Sequence, residues 1–285
     1  MTVPNAAAQV AAIQMTSGKT PQANLEQAAE LLQAARDKGA SLAVLPENFA
    51  GYGGDYRVLA AEYTMLEQWL CEQASRLGMA IIGGSVPSLH RPDGEPVPAP
   101  RVRTRSLAVT ADGEIVGRYD KLHLFDAQVQ DAQGQYRESD LFEPGETIVT
   151  VPLAGVQVGM AICYDLRFPA LAQRLVSAGA QLLVYPSAFT AVTGAAHWEL
   201  LLRATAVQTG CYVLGANQCG QHGPRRASYG HSMLVSPWGD VVASLENAPG
   251  ALVAPLDLAT MDELRQRMPV QQHQRLRIEG PYDAN

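Results

Sequence analysis

Apolar segments of strand length alternate with segments of helical periodicity along most of the chain. Continuous apolar runs of this length are typical of buried strands, and they lie at Ala8–Gln14, Ser41–Leu45, Met79–Ser85, Val156–Ile162, Gln181–Tyr185 and Cys211–Ala216. Helical patterns lie between them, around residues 62–77, after Pro169 and around residues 196–209. This alternation predicts a layered α/β fold.

A further helix is predicted before residue 40. Apolar positions recur at helical spacing from residue 25 to residue 35, and Gly39 is a typical C-terminal stop. Asn24, followed three residues later by Gln27, predicts a capping box. The helix is therefore expected to begin at Asn24.

Two hairpins interrupt the strand–helix alternation. Ser106–Thr110 and Glu114–Tyr119 flank an Asp-Gly turn, and this pair tolerates the positive φ of a tight hairpin. Ser232–Ser236 and Asp240–Leu245 flank a Pro-Trp-Gly turn in the same way. Hairpin strands are antiparallel, so the predicted β-sheets are mixed and flanked by helices.

The chain of 285 residues is long enough for one large domain or two small ones. Its 47% of hydrophobic residues and 17% of charged residues exclude a disordered or fibrous protein. The one stretch that resembles a linker, His90–Arg103, lies between strands and is interpreted as a surface loop. We therefore expect a single domain over residues 1–285, with a C-terminal tail from about residue 258.

Charge and cysteine content narrow the class of protein. The net charge of −7, without a cluster of lysine and arginine, argues against nucleic acid as a partner. The four cysteines contain no C-x-x-C pair, which favours reduced thiols over a disulfide framework or zinc cage. The N-terminus lacks the pattern of a secretory signal, and no apolar run is long enough to span a membrane. A cytoplasmic location without membrane partners is expected.

Cys163 is the first candidate for chemistry. It follows the apolar run Val156–Ile162, where the chain turns toward a helix, and a helix N-terminus lowers the pKa of a thiol. The backbone N–H of Tyr164 would then be free to face an oxyanion. A random cysteine is more often a buried structural residue, but Asp165 and Arg167 follow at once and indicate a polar rim.

Glu47, Lys121 and Glu138 are the candidate partners of the thiol. None of the six histidines is obviously placed as a base. Glu47 ends a buried strand, where partial desolvation would raise its pKa, although it could equally be a surface carboxylate. Lys121 could stabilise an oxyanion, but its position alone favours a solvated loop lysine. Glu138 is a second carboxylate downstream of Lys121, and taken singly none of these signals decides the matter.

Three segments taken together indicate a function more specifically than the single residues do. They are LPENFAGYGG, GRYDKLHLFD and GMAICYDLRFP, which contain Glu47, Lys121 and Cys163 in that order. They resemble the nitrilase superfamily, or carbon–nitrogen hydrolases, and the resemblance runs from Ala8 to about Leu256. It implies an αββα sandwich that pairs into homodimers or larger homo-oligomers and needs no metal or organic cofactor. It also implies that Cys163 is the nucleophile, Glu47 the general base and acid, and Lys121 the oxyanion-stabilising cation, with Glu138 orienting lysine and substrate.

The segments after Cys163 point to a branch of this superfamily. YPSAFTAVTGAAHWELLLRATAVQTGCYVLGANQCG, followed by RRASYGHSMLVSPWG, resembles the deaminated glutathione amidase branch. The resemblance implies metabolite repair: hydrolysis of the γ-amide of deaminated glutathione, through a cysteine thioester, to 2-oxoglutarate and cysteinylglycine. The alternative is the ω-amidase branch, which acts on 2-oxoglutaramate and 2-oxosuccinamate. A nitrilase, an N-carbamoyl amide hydrolase and a non-catalytic interaction protein are less favoured.

Substrate contacts are expected around the nucleophile. Both branches take a 2-oxo-carboxylate, and Arg167 is a suitable bidentate partner for it, although it could instead hold the adjacent loop. Phe189 and Thr193 are weaker candidates, on a loop that the family places over the site. Residues 127–135 depart from the expected pattern, so the sequence does not predict the shape of the pocket entrance. Arg225 and Arg226 could reach the site, but they are expected to face solvent.

Overall fold

The computed structural model describes residues 8–276. Its strands are β1 (Gln9–Gln14), β2 (Leu42–Val44), β3 (Ala80–Ile82), β4 (Val86–Ser88), β5 (Arg103–Val109), β6 (Ile115–Asp120), β7 (Asp126–Gln128), β8 (Gln135–Arg137), β9 (Val149–Leu153), β10 (Val156–Met160), β11 (Leu182–Ser187), β12 (Tyr212–Asn217), β13 (Cys219–Gln221), β14 (Ala227–Tyr229), β15 (Met233–Val235), β16 (Val241–Ser244) and β17 (Gly250–Pro255). The α-helices are α1 (Pro21–Asp37), α2 (Tyr56–Ala61), α3 (Tyr63–Leu77), α4 (Pro169–Ser177), α5 (Ala191–Thr209), α6 (Leu258–Arg267) and α7 (Val270–His273), and short 3₁₀ helices lie at Glu138–Asp140 and Cys163–Arg167.

Two mixed sheets form the centre of the fold. The first has the order β17-β1-β2-β3-β5-β4, and β6 also pairs with β5. Its strands β1, β2 and β3 are parallel, whereas β17 and β5 run antiparallel to their neighbours. The second has the order β16-β15-β12-β11-β10-β9, with β10, β11 and β12 parallel. The predicted mixed sheets are confirmed.

Alternation of side chains along β1 shows how the layers stack. Val10 and Ala12 join a core cluster that contains the strands of the second sheet, so they face that sheet. Ala11 and Ile13 point the other way and join the cluster formed with α1 and α3. Helices α4 and α5 pack on the second sheet. The result is the predicted αββα sandwich, and it explains why the strands read as continuous apolar runs.

The first helix begins earlier than predicted. Helix α1 starts at Pro21, with Thr20 as its N-cap, because proline has the φ of a first helical residue and needs no N–H partner there. Asn24 lies inside the helix, and its side chain donates to the carbonyls of Thr20 and Ala50 at 2.8 and 2.9 Å. The predicted capping box at Asn24 is therefore wrong.

The other predicted elements are found with shifted ends. Helix α3 ends at Gly78, which has φ +54°, and both predicted hairpins are present. Helix α5 starts at Ala191 rather than near residue 196, because the Thr190 side chain caps it by accepting from the Thr193 N–H. The predicted C-terminal tail contains α6 and α7, and its residues 277–285 lie outside the described residues. Within residues 8–276, no helix is long and apolar enough to cross a membrane.

Gly84, between β3 and β4, lies close to the backbone of Pro46 in the loop after β2. Its φ is +50°, and a Cβ there would lie 2.2 Å from the carbonyl oxygen of Pro46. Gly94 has φ +87°, and a Cβ there would meet nothing within 4 Å, so Gly94→Ala measures the cost of the backbone conformation alone. We expect Gly94→Ala to cost about 1–2 kcal/mol of unfolding free energy and Gly84→Ala clearly more. Urea denaturation measures both, and equal losses would show that Pro46 moves away freely.

Candidate active site

The ends of three strands bring Glu47, Lys121 and Cys163 together. Lys121 directly follows β6. Glu47 lies three residues beyond the end of β2, and Cys163 lies three residues beyond the end of β10. Strands β2 and β6 belong to the first sheet and β10 to the second. The three side chains therefore meet only because the two sheets pack face to face.

Lys121 lies between two carboxylates. Its Nζ is 2.8 Å from Oε1 of Glu47, and 2.8 and 3.0 Å from the two oxygens of Glu138. The lysine is 2% exposed and Glu47 5% exposed. Burial opposes the charge of Lys121, but the carboxylates of Glu138 and Glu47 outweigh it and hold the pKa of the ammonium well above its usual value. Lys121 is a buried, paired cation, not the solvated lysine that its position alone favours.

Glu138 is fixed by backbone as well as by Lys121. It begins a 3₁₀ helix directly after β8, and its Oε2 accepts from the Phe125 N–H at 2.5 Å. The following segment is tied down at Glu143, whose carboxylate pairs with Arg91 at 2.7 Å and with Arg103 at 2.5 Å. Burial and the nearby charge of Glu47 raise the pKa of Glu138, and Lys121 opposes them.

Cys163 has a backbone conformation that is uncommon for a residue with a side chain. Its φ is +47°, at the turn from β10 into the 3₁₀ helix, and it is 9% exposed. Burial and the adjacent carboxylate of Glu47 raise the pKa of the thiol well above its usual value, despite Lys121 and the Ala188 N–H. The expectation that a helix N-terminus lowers this pKa is wrong, because desolvation and a neighbouring anion outweigh one short 3₁₀ turn.

Asp165 holds this turn in place from behind. Its carboxylate, fully buried, accepts from the Ile162 N–H at 2.8 Å and from the Tyr119 hydroxyl at 2.6 Å. Its other oxygen accepts from the His123 N–H at 3.0 Å and lies 2.7 Å from His123 Nδ1. Tyr119 lies on β6, so Asp165 ties the turn of Cys163 to the strand that leads to Lys121. The sequence indicated a polar rim here, whereas Asp165 is an interior anchor.

A cavity of about 250 Å³ opens over the three residues. Every candidate named from the sequence lines it: Glu47, Lys121, Glu138, Cys163, Tyr164, Arg167, Phe189 and Thr193. The Arg167 guanidinium lies 5.3 Å from the Phe189 ring centroid and 3.3 Å from His197 Nδ1. Within residues 8–276, no three His, Cys, Asp or Glu side chains are grouped as metal ligands.

The structure adds residues that sequence reasoning missed. Arg226 lines the cavity, half-buried against the rings of Tyr52 and Tyr136, so the expectation that it faces solvent is wrong. Arg225 is exposed, as predicted. Residues 127–135, which departed from the expected pattern, form most of the hairpin of β7 and β8 that carries Tyr136. Nothing in the local sequence distinguishes Arg226 from Arg225, because the β13–β14 hairpin decides which of them points inward.

Comparison with known proteins identifies the family of the chain. The sequence profile of the Carbon-nitrogen hydrolase family matches residues 9–266. The chain is 39% identical over 273 residues to a deaminated glutathione amidase of Yersinia enterocolitica, covering 94% of this chain and 93% of that protein. It is 42% identical over 275 residues to a deaminated glutathione amidase of Rattus norvegicus, covering 95% and 83%. The crystal structure of the C. elegans NitFhit protein matches with a TM-score of 0.84 at 34% identity, covering 96% of this chain and 66% of that chain.

The chain belongs to the carbon–nitrogen hydrolase family. The family match covers all three segments that carried the resemblance, from before Glu47 to beyond Cys163. The resemblance to the nitrilase superfamily is thereby confirmed, and so is the enzyme class, a hydrolase of carbon–nitrogen bonds.

The protonation state of Cys163 can be tested directly. Because burial and Glu47 raise the pKa of its thiol above the usual 9.0, we expect the neutral thiol at pH 7 and thiolate only above pH 9. The measurement is the ultraviolet absorbance of the thiolate along a pH titration, as the difference between the wild type and Cys163→Ser. A thiolate signal at pH 7 in that difference would contradict the assignment.

Proposed function

We propose that this protein hydrolyses the γ-amide bond of deaminated glutathione to 2-oxoglutarate and cysteinylglycine, as a metabolite-repair amidase. The observation that carries the substrate is the name shared by the Yersinia and rat relatives, at 39% and 42% identity over more than nine tenths of this chain. The cavity supports it, because it contains a cysteine, paired carboxylates and arginines suited to an anionic amide.

In the proposed acylation step, the Glu47 carboxylate takes the proton of the Cys163 thiol as the sulfur attacks the amide carbon. A base is needed because the thiol is neutral at rest, and Glu47 lies within hydrogen-bonding reach of it. The carbonyl oxygen becomes an oxyanion, which Lys121 and the Tyr164 N–H stabilise. The Lys121 ammonium has three N–H donors. One donates to Glu47, and a second is shared between the two oxygens of Glu138. The third N–H is then free to donate to the oxyanion.

Collapse of this intermediate breaks the carbon–nitrogen bond. Glu47 returns its proton to the leaving amine of cysteinylglycine, and Cys163 keeps the acyl group as a thioester. In deacylation, Glu47 takes a proton from water as the water oxygen attacks the thioester carbon. The second intermediate releases 2-oxoglutarate, and the proton on Glu47 returns to the sulfur. Glu138 is proposed to hold Lys121 in position throughout.

Further features complete the proposal. Residues 1–285 are proposed to act as one domain, which is supported by a core cluster that draws residues such as Val10 and Val158 from both sheets. Arg167 is proposed to bind the 2-oxo-carboxylate of the substrate, with Phe189 and Thr193 beside it. A homodimer or larger homo-oligomer in the cytoplasm is proposed from the resemblance to the superfamily.

The substrate is tested by measuring formation of 2-oxoglutarate, the product that deaminated glutathione and 2-oxoglutaramate share. We expect kcat/KM for deaminated glutathione to be higher by about tenfold or more, because a pocket built for the dipeptide gains from contacts that the simple amide cannot make. A preference for 2-oxoglutaramate would move the protein to the ω-amidase branch. Strong turnover of a nitrile or an N-carbamoyl amino acid would contradict both substrates.

The proposed nucleophile is tested with Cys163→Ala. We expect an unchanged fold and a loss of kcat of about 10⁴-fold or more, because no other group can form the thioester. The matched control is Cys71→Ala, at a half-buried cysteine on α3 that does not line the cavity. The mechanism is wrong if Cys163→Ala keeps activity, or if Cys71→Ala loses as much.

A further inference from the structure

Arg226 is a cation on the cavity wall that packs against aromatic rings. Its guanidinium lies 4.9 Å from the Tyr52 ring centroid and 5.6 Å from that of Tyr136. Among residues 8–276, no Asp or Glu carboxylate lies within 4.0 Å of it. Other buried arginines behave differently, since Arg103 pairs with Glu143 at 2.5 Å and Arg105 with Asp120 at 2.6 Å.

The surroundings of Arg226 keep it charged. Burial opposes the charge, but the phenolic groups of Tyr52, Tyr56 and Tyr136 outweigh burial and raise the pKa of the guanidinium. A guanidinium has five N–H donors. The Tyr56 hydroxyl accepts from one of them, and the remaining donors can bind a ligand. A partly desolvated guanidinium on a cavity wall, with no carboxylate beside it, is suited to a carboxylate supplied by a ligand.

Arg226 lies on the side of the cavity where the leaving group must be. Tyr52 links the two: it follows Glu47 by five residues on the segment between β2 and α2, and the Arg226 guanidinium lies 4.9 Å from its ring centroid. In the proposed mechanism Glu47 protonates the leaving nitrogen, so the leaving group lies against Glu47. Arg167 has other neighbours: it contacts Phe189, Tyr164 and His197.

We propose that Arg226 binds the terminal carboxylate of the leaving dipeptide, while Arg167 binds the 2-oxo-carboxylate. This inference rests on the proposed function, because deaminated glutathione carries one carboxylate at each end. A dipeptide extends at most about 7 Å, so the second carboxylate lies within about 7 Å of the leaving nitrogen, and Arg226 lines the same cavity as Cys163. A simple ω-amide has no carboxylate on its leaving side and would leave Arg226 unused. Arg226 is therefore a specificity-determining residue for the peptide-bearing substrate.

The test compares Arg226→Gln with Arg225→Gln, its exposed neighbour outside the cavity lining. Formation of 2-oxoglutarate is followed with three substrates: deaminated glutathione, the same compound with its glycine carboxylate converted to a carboxamide, and 2-oxoglutaramate. We expect Arg226→Gln to lower kcat/KM for deaminated glutathione by about 10- to 100-fold, mainly through KM, since one charge-assisted contact is lost. Turnover of 2-oxoglutaramate should change by less than about threefold, and Arg225→Gln should resemble the wild type.

The carboxamide substrate makes the test independent of any change in folding. For the wild type, kcat/KM should be lower for the carboxamide than for the acid, by about the factor that Arg226→Gln loses on the acid. The Arg226→Gln variant should have the same kcat/KM for acid and carboxamide. Equal losses of Arg226→Gln on deaminated glutathione and 2-oxoglutaramate, or equal wild-type rates on acid and carboxamide, would overturn the assignment of Arg226 alone. No wild-type activity on deaminated glutathione would instead overturn the proposed function.

Discussion

The site depends on one buried cation held between two carboxylates. Lys121 is 2% exposed and contacts Glu47 and Glu138 at 2.8 Å each. Removing one partner from a buried ion pair costs about 3–5 kcal/mol, because an uncompensated charge remains in the interior. Three charges on three separate segments therefore constrain one another. A displacement of the β2 loop, the end of β6 or the hairpin of β7 and β8 would break this arrangement.

The sandwich provides the rigidity that this arrangement needs. The strands leading to Glu47 and Cys163 are buried on both faces, so neither can slip without exposing apolar side chains. Asp165 then connects the two sheets through Tyr119 and fixes the turn at Cys163, which has φ +47°. The thiol lies within hydrogen-bonding reach of Glu47, and the hydrogen bonds of Asp165 offset the cost of the positive φ.

The sequence allowed prediction of most elements, because strands and helices in this fold have distinct apolar periods. The positions of Glu47 and Cys163 at strand ends also followed from local pattern. Taken singly, however, Glu47 could be a surface carboxylate and Cys163 a structural cysteine, and only the three segments together favoured a catalytic role. The start of α1 was wrong because Pro21 and Thr20 set it, rather than Asn24. The lowered pKa predicted for Cys163 was wrong because burial and the neighbouring Glu47 come from tertiary packing, which no local pattern shows.

Arg226 illustrates the same limit and completes the charge distribution of the cavity. Lys121 and its two carboxylates leave an excess of negative charge beside a neutral thiol, which by itself would repel an anionic substrate. The guanidiniums of Arg167 and Arg226 oppose that repulsion from the cavity wall, although the chain as a whole has a net charge of −7. Under the proposed assignment of the two arginines, a substrate with a carboxylate at each end is matched best, because each arginine then gains an anionic partner and the neutral amide lies at the thiol. Local charge, set by which side chains the loops turn inward, decides what the cavity accepts.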